Sequence, residues 1–129
     1  MPAAREHMSR DLLTVDSGLP LAEVAARMVE RSVGAVLVLD GERLAGILTE
    51  RDVLRAVARG IRDDAVVRDW MTTDPDTIDP DDSTEHAATL MMHGGYRHIP
   101  VTQGQAVVGI LSIRDLMALA LADSAPRGV

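Results

Sequence analysis

A shift of 63 residues lays this chain over itself without a gap from Met8 to about Arg59. It carries Met8 onto Met71, Asp11 onto Asp74, Thr14-Val15-Asp16 onto Thr77-Ile78-Asp79, Ala25 onto Ala88, Met28 onto Met91, Val38 onto Val101 and Gly41 onto Gly104. The best match sets Gly46-Ile47-Leu48-Thr49-Glu50-Arg51-Asp52 against Gly109-Ile110-Leu111-Ser112-Ile113-Arg114-Asp115. One supersecondary unit is thus used twice. Only two copies fit, which predicts a closed pair with pseudo-twofold symmetry and not an open solenoid.

At 129 residues the chain holds one compact body, and a half of about 60 residues buries too little surface to be secure alone. The predicted fold is therefore mixed α/β, two β-α-β-β-α units packed face to face over a shared core. The expected boundaries are an N-terminal segment 1–7, a first unit 8–60, a linker 61–70, a second unit 71–122 and a flexible tail 123–129. There is no Phe, one Trp and one Tyr, so the core rests on Leu, Val, Ile, Ala and Met, and a large aromatic ligand cage is excluded. The net charge of −7 repels nucleic acid and anionic membranes. An anionic ligand then needs a few local arginines and backbone donors. Without Cys there is no disulfide, thiolate metal site or thiol chemistry. Met1 to His7 lacks the apolar run of a signal peptide, and no stretch approaches the roughly 20 apolar residues that span a bilayer. A soluble cytoplasmic protein is the expectation.

Leu21, Val24, Ala25, Met28 and Val29 form one apolar face at i, i+3, i+4, i+7 and i+8, which predicts a helix over 20–32 with Pro20 in its first turn and Gly34 ending it. The apolar run Ala35 to Leu39, the turn dipeptide Asp40-Gly41 and the return run Leu44 to Thr49 read as a β-hairpin. Val53, Leu54, Val57 and Ala58 mark a second helix that stops at Gly60. The second copy predicts a helix over 83–93, strands at 98–102 and 106–111 around Gln103-Gly104, and a helix over 112–122. Short strands at 13–16 and 77–79 complete the units, and Val66, Val67 and Trp70 predict a short docked helix in the linker.

Gly-Ile-Leu-(Thr/Ser)-x-Arg-Asp occurs twice where a strand hands over to a helix. One reading is purely local: Thr49 or Ser112 is the N-cap, and Asp52 or Asp115 three residues on closes a capping box. The other is a ligand site. A helix start offers free N–H groups and positive dipole charge, a hydroxyl can donate to an anion, and a carboxylate can accept both hydrogens of a vicinal diol. That pairing suits a ribose beside a phosphate, with Arg51 and Arg114 close by to neutralise charge. Both readings stay open on spacing alone.

With GILTERDV and GILSIRDL closing the strand pairs and YRHIPV entering the second, the doubled unit resembles a tandem pair of CBS (cystathionine β-synthase type) domains, a Bateman module, over residues 8–122. The resemblance implies clefts between the units for adenosine compounds: AMP, ADP, ATP or S-adenosylmethionine. It assigns Asp52 and Asp115 to ribose hydroxyls and Thr49 and Ser112 to the ribose or first phosphate. Val36-Leu37-Val38 and Ile99-Pro100-Val101, with Val15 and Ile78, would frame the adenine, and Arg97 and His98 would face phosphate. It also implies a homodimer through the helices, regulation of an unidentified protein partner, no required cofactor, and a regulatory adenine nucleotide.

The copies are unequal. Leu37 stands where the resemblance calls for the Pro found at Pro100, and Gly34-Ala35 replace Arg97-His98. The second copy is therefore the expected site for a charged nucleotide. His86 and His93, a heptad apart, could be drawn with His98 and Asp79, Asp81 and Asp82 as a metal site, but helical ligands usually sit at i and i+4; solvated side chains are the expectation. No nucleophile elbow, Walker loop or isolated carboxylate pair appears, so no catalytic residue is assigned. The reading is a regulatory adenosine-binding module. Its rivals are a ligand-free interaction module with vestigial clefts and, further off, an enzyme accessory or metal-dependent catalyst.

Overall fold

The computed structural model of the chain describes residues 2–61 and 63–124, with the side chains of Asp123 and Ser124 left aside; the expected flexible tail beyond Ser124 lies outside the described residues. In order, the elements are α1 (Ala4–His7), β1 (Thr14–Asp16), α2 (Leu21–Arg31), β2 (Ala35–Asp40), β3 (Arg43–Thr49), α3 (Glu50–Ala58), a 3-10 turn (Val67–Asp69), β4 (Thr72–Thr73), α4 (Thr84–Gly94), β5 (His98–Gln103), β6 (Ala106–Ser112) and α5 (Ile113–Ser124). The mixed α/β class and the twofold use of one unit are as the repeat predicts, and the predicted helices and hairpins appear within a few residues of their expected bounds.

By contacts the chain falls into two units, one of residues 11–75 and one that joins the first ten residues to the chain from Asp76 onward. The unit of residues 11–75 is a four-stranded sheet in the order β1-β2-β3-β4. β1 lies parallel to β2, while β3 is antiparallel to both β2 and β4. Its core is Val15, Leu21, Val24, Met28, Val36, Val38, Leu48, Ala56 and Val67. The other unit buries Ala4, Ile78, Ala87, Met91, Ile99, Val101 and Leu111. Seven of the first set map onto this second one by the 63-residue shift: Val15, Val24, Met28, Val36, Val38, Leu48 and Val67 become Ile78, Ala87, Met91, Ile99, Val101, Leu111 and Ala4.

Val67 and Ala4 show how each unit is completed. Each lies just upstream of its own repeat, yet packs in the core of the other one. The linker arm bridges Pro20 through Val66; Leu21 N–H donates to the Ala65 carbonyl, Val67 N–H to Leu19 and Arg68 N–H to Ser17. The N-terminal arm repeats this on the second copy: Ala3 bridges Ser83, Thr84 N–H donates to Pro2, Ala4 N–H to Asp82 and Arg5 N–H to Pro80. Arg5 also pairs with Asp81. Further along, Thr72 pairs with Ile47, and Ser9 exchanges two backbone bonds with Ile110 at 2.9 and 3.0 Å. The edges of β3 and β6 are thus covered, which answers the exposure of unpaired backbone groups at a sheet edge.

Gly46 and Gly109 admit the arms. A β-carbon on Gly46 would stand 2.6 Å from both Met71 Sδ and the Thr72 carbonyl oxygen. On Gly109 it would meet Met8 Sδ, with Met8 Cγ at 2.8 Å and the Ser9 carbonyl oxygen at 3.0 Å. The Met8–Met71 correspondence in the sequence therefore marks two seats on two strands.

Three details depart from expectation. The predicted strand at 77–79 is reduced to a single parallel bridge, Ile78 to Val101, where the first copy has three residues in β1. Pro100 explains this: in the first copy Leu37 N–H donates to the Leu13 carbonyl at 3.0 Å, and proline has no N–H to repeat it. The hairpin loops fall one residue late, at Gly41-Glu42 and Gly104-Gln105, because Asp40 pairs with Arg43 and Gln103 with Ala106. The glycines take the first loop position with φ of 63° and 62°. Helix α2 ends one turn short of Gly34, with Ser32 in the left-handed region.

Gly46→Ala should destabilise the protein by about 1–3 kcal/mol, because one of the two clashing atoms is a backbone carbonyl that has little room to yield. Gly60→Ala meets open space but a φ of 76°, and should cost about 1–2 kcal/mol from conformation alone. Urea unfolding of both variants reads the difference; an unaltered midpoint for Gly46→Ala would contradict the close approach.

Candidate functional site

Both repeats turn from strand to helix on a full capping box. Asp52 Oδ2 accepts the Thr49 N–H at 2.8 Å and the Thr49 hydroxyl at 3.1 Å, and Thr49 Oγ1 accepts the Asp52 N–H at 3.4 Å. In the second copy Asp115 Oδ2 accepts the Ser112 N–H at 2.8 Å and the Ser112 hydroxyl at 2.9 Å, while Ser112 Oγ accepts the Asp115 N–H at 3.2 Å. The local reading of these residues is therefore realised at both helix starts. Each box uses one carboxylate oxygen and leaves the other, Oδ1, to its surroundings.

Those surroundings differ. Asp52 Oδ1 accepts a hydrogen bond from Arg55 Nη2 at 2.7 Å, and the same nitrogen lies 3.4 Å from the Trp70 carbonyl on the linker arm. The Asp52 side chain is 8% exposed and that of Arg55 51%. The residue at the Arg55 position of the second copy is Ala118. Asp115 is half-buried, and its Oδ1 takes no hydrogen bond or ion pair among the described residues. Arg55 was not among the expected site residues. Its signal was the Asp-x-x-Arg spacing on a helix, which sets the two side chains on one face.

The strand before each helix completes the neighbourhood. Ile113 N–H donates to the Arg97 carbonyl at 2.8 Å, and His98 pairs with Ser112 in the β5–β6 ladder. Arg97, His98, Ser112, Arg114 and Asp115 are therefore brought together at one end of the hairpin, with Arg97 and Arg114 exposed. At the same place in the first copy, Glu50 N–H donates to the Gly34 carbonyl and Ala35 pairs with Thr49; Arg51 is exposed there and Asp52 buried. Among the described residues, neither Arg51 nor Arg114 is in an ion pair. Val15 and Val36 are buried in one core, Ile78 and Ile99 in the other, and Pro100 is buried in β5. So the expected residues divide by copy, five in one unit and eight in the other.

A pair of substitutions between the copies steadies the cationic one. Leu13 and Val33, which pack against the first core, are replaced by Asp76 and Tyr96. The Tyr96 hydroxyl donates to Asp76 Oδ2 at 2.6 Å, holding the residue next to Arg97. Its ring fills the space where a Gly94 β-carbon would be. Burial, then the hydrogen bond to Asp76, then the Asp76 charge all push the Tyr96 phenol well above its ordinary value.

His86 and His93 do not converge with the aspartates: among the described residues no three His, Asp or Glu side chains are grouped as a metal site needs. His86 N–H is instead the donor to the Ser83 N-cap, at 3.0 Å. Among the described residues no helix is long and apolar enough to cross a membrane.

Comparison with known proteins gives the same doubled pattern. The CBS domain family matches residues 4–59 and again 67–122. An uncharacterized 17.7 kDa protein of Acidianus ambivalens is 38% identical over 112 residues, spanning 84% of this chain and 66% of that protein, so the match spans just under two thirds of that relative's length. A protein with CBS domains from Burkholderia ambifaria superposes with a TM-score of 0.84 at 33% identity, covering 93% of this chain and 90% of that one. A CBS domain protein of Pyrobaculum aerophilum, solved in complex with AMP, superposes with a TM-score of 0.83 at 27% identity over 95% of this chain and all of that one.

The Tyr96 shift has a signed consequence. The folded chain holds the phenolic proton more tightly than the unfolded one, so this contribution to stability is complete below the unfolded tyrosine value of about 10 and declines as pH rises past it. Unfolding midpoints measured from pH 8 to 11 should fall more steeply for the wild type than for Tyr96→Phe; parallel curves would disprove the assignment.

Proposed function

Because this chain belongs to the CBS-domain family, with both of its repeats matched, we propose that it is a regulatory module that binds an adenosine nucleotide and has no catalytic role of its own. The observation that carries the reading is the free carboxylate oxygen of Asp115 at a helix start flanked by Arg97, His98 and Arg114. A ribose diol needs an acceptor for its hydroxyl hydrogens, and Asp115 Oδ1 is an ionisable oxygen left over by the cap. Ser112 Oγ already gives its proton to Asp115, so it serves the sugar best as a second acceptor. Phosphate then falls to the guanidinium groups of Arg97 and Arg114, to His98 and to the positive end of α5. Ile78, Ile99 and Pro100 form the apolar floor from which this edge rises, and their backbone is the natural frame for the base. The AMP complex of the Pyrobaculum relative supports AMP as the first compound to try; ADP, ATP and S-adenosylmethionine belong to the same class.

In the first copy, Val15, Val36, Thr49, Arg51 and Asp52 repeat the frame without the cations of the Arg97-His98 step. A neutral or weakly held adenosine compound suits it better. Ligand binding regulates a protein partner only as far as it favours one of two states of the module.

We also propose a homodimer. Val29 and Met92 are 80% and 81% exposed, and Leu54 and Met117 are 71% and 57% exposed; each pair is related by the 63-residue shift, so both copies present apolar side chains from the same helix positions. Leu54→Asp combined with Met117→Asp should lower the mass found by sedimentation equilibrium from two chains to one. An unchanged mass would remove this part of the reading.

The nucleotide reading is tested by calorimetry and thermal melting. AMP at 100 times its Kd should stabilise the protein by about 2.7 kcal/mol. Asp115→Ala should abolish that effect while costing only about 0.5–2 kcal/mol of cap energy. A full AMP response in Asp115→Ala would refute the ribose role. If AMP, ADP, ATP and S-adenosylmethionine all fail to shift the melt, the ligand-free interaction module becomes the better reading.

A further inference from the structure

We infer that Arg55 masks the first copy, so that only the Asp115 copy takes a nucleotide as the chain stands. The inference rests on the nucleotide reading of the preceding section and concerns how that site type is switched off in one repeat. A carboxylate that caps its helix has one oxygen left for a ligand. In the first copy that oxygen is filled by an arginine of the same helix at 2.7 Å. The contact is a charge-assisted hydrogen bond, stronger than one between neutral groups, on a carboxylate whose side chain is 8% exposed. A diol arriving at Asp52 must displace it and leave the guanidinium to water. The second copy carries Ala118 at that position, which has no group to compete.

Arg55 does more than cover Asp52. Its Nη2 also reaches the Trp70 carbonyl at 3.4 Å, one residue before the methionine that seats on Gly46. Displacing it therefore loosens a contact to the arm that leads into the second repeat. The mask and the arm are coupled through one guanidinium, and occupancy of the first copy, once forced, is felt at the linker. No equivalent coupling exists through Ala118.

Because the Arg55 side chain is half in water, its competition is discounted relative to a buried pair. The expected gain on removing it is about 5- to 10-fold in first-copy affinity. Four proteins decide the matter by calorimetric titration with AMP: wild type, Asp115→Ala, Asp115→Ala with Arg55→Ala, and Ala118→Arg. Over an AMP range that fills the Asp115 copy but stays below the masked Kd of the first copy, the wild type should bind one AMP per chain and Asp115→Ala none. The double variant should recover one AMP per chain, now at the first copy. Ala118→Arg, at an exposed helix position, should weaken the single wild-type site by about 5- to 10-fold. Arg55→Met, which keeps an unbranched apolar stem but has no N–H to offer Asp52 Oδ1, replaces Arg55→Ala if the latter loses its folded circular dichroism.

Two AMP per chain in the wild type would overturn the mask. So would a double variant that stays silent under both Arg55 substitutions, or an Ala118→Arg protein that binds AMP as tightly as the wild type. In each of those cases the nucleotide reading survives. If neither the wild type nor any Arg55 variant binds AMP, the nucleotide reading falls and takes the mask with it.

Discussion

The close approach of an arm to a strand at a position without a β-carbon is what the rest of this structure depends on. Thr72 beside Gly46 and Ser9 beside Gly109 each close an open sheet edge. The strands so covered, β3 and β6, are the ones that end on Thr49 and Ser112. A strand free to slip by one residue would turn its whole buried set outward, and would carry the capping hydroxyl to the wrong face. The arm therefore fixes the register on which the aim of Asp52 and Asp115 depends. Its cost is that neither repeat is complete from its own sequence: Val67 fills the core of the unit before it, and Ala4 that of the unit of the later repeat.

Two copies built to one plan were free to diverge wherever the plan does not reach. Apolar core positions exchange only size, as in Val15 to Ile78 or Val24 to Ala87. The polar positions around the helix start change character. Gly34-Ala35 become Arg97-His98, Leu13 and Val33 become Asp76 and Tyr96, Leu37 becomes Pro100, and Arg55 becomes Ala118. Three of these act in one direction. The second copy gains cations, gains a hydrogen bond that steadies the residue next to them, and loses the group that would compete for its carboxylate. Pro100 has a separate consequence, removing a backbone donor and with it most of the strand at 77–79.

Much of this was legible in the residues because the signals are local. Apolar spacing found α2 and α4, turn glycines found both hairpins, and the Thr/Ser-x-x-Asp step found both caps. The arms were not legible. The 63-residue shift pairs Met8 with Met71 but cannot say that each covers a strand of the other repeat, since long-range pairing leaves no pattern in a segment of two residues such as β4. The four residues of α1 are likewise too few to show a helical period. Arg55 escaped for a different reason: an arginine on an exposed helix face reads as solvated, and only the position of Asp52 Oδ1 shows what it does. In the sequence Trp70 reads as part of a docked apolar turn, whereas the atom that meets Arg55 is its carbonyl oxygen.

The local and the ligand-binding readings of the Thr/Ser-x-x-Asp step need not compete, because a carboxylate has two oxygens. The cap consumes Oδ2 through two donors on one residue, an N–H and a hydroxyl, and by doing so locks the rotamer of the aspartate. A locked carboxylate presents Oδ1 in a fixed direction with no ordering cost left for a ligand to overcome, which is the condition for a preorganised acceptor. Whether that acceptor works then turns on its immediate neighbour. Arg55 at 2.7 Å occupies it in one copy, and an alanine leaves it open in the other. The helix cap is thus the device that aims the oxygen, and a single residue one turn further along the helix decides what the oxygen meets.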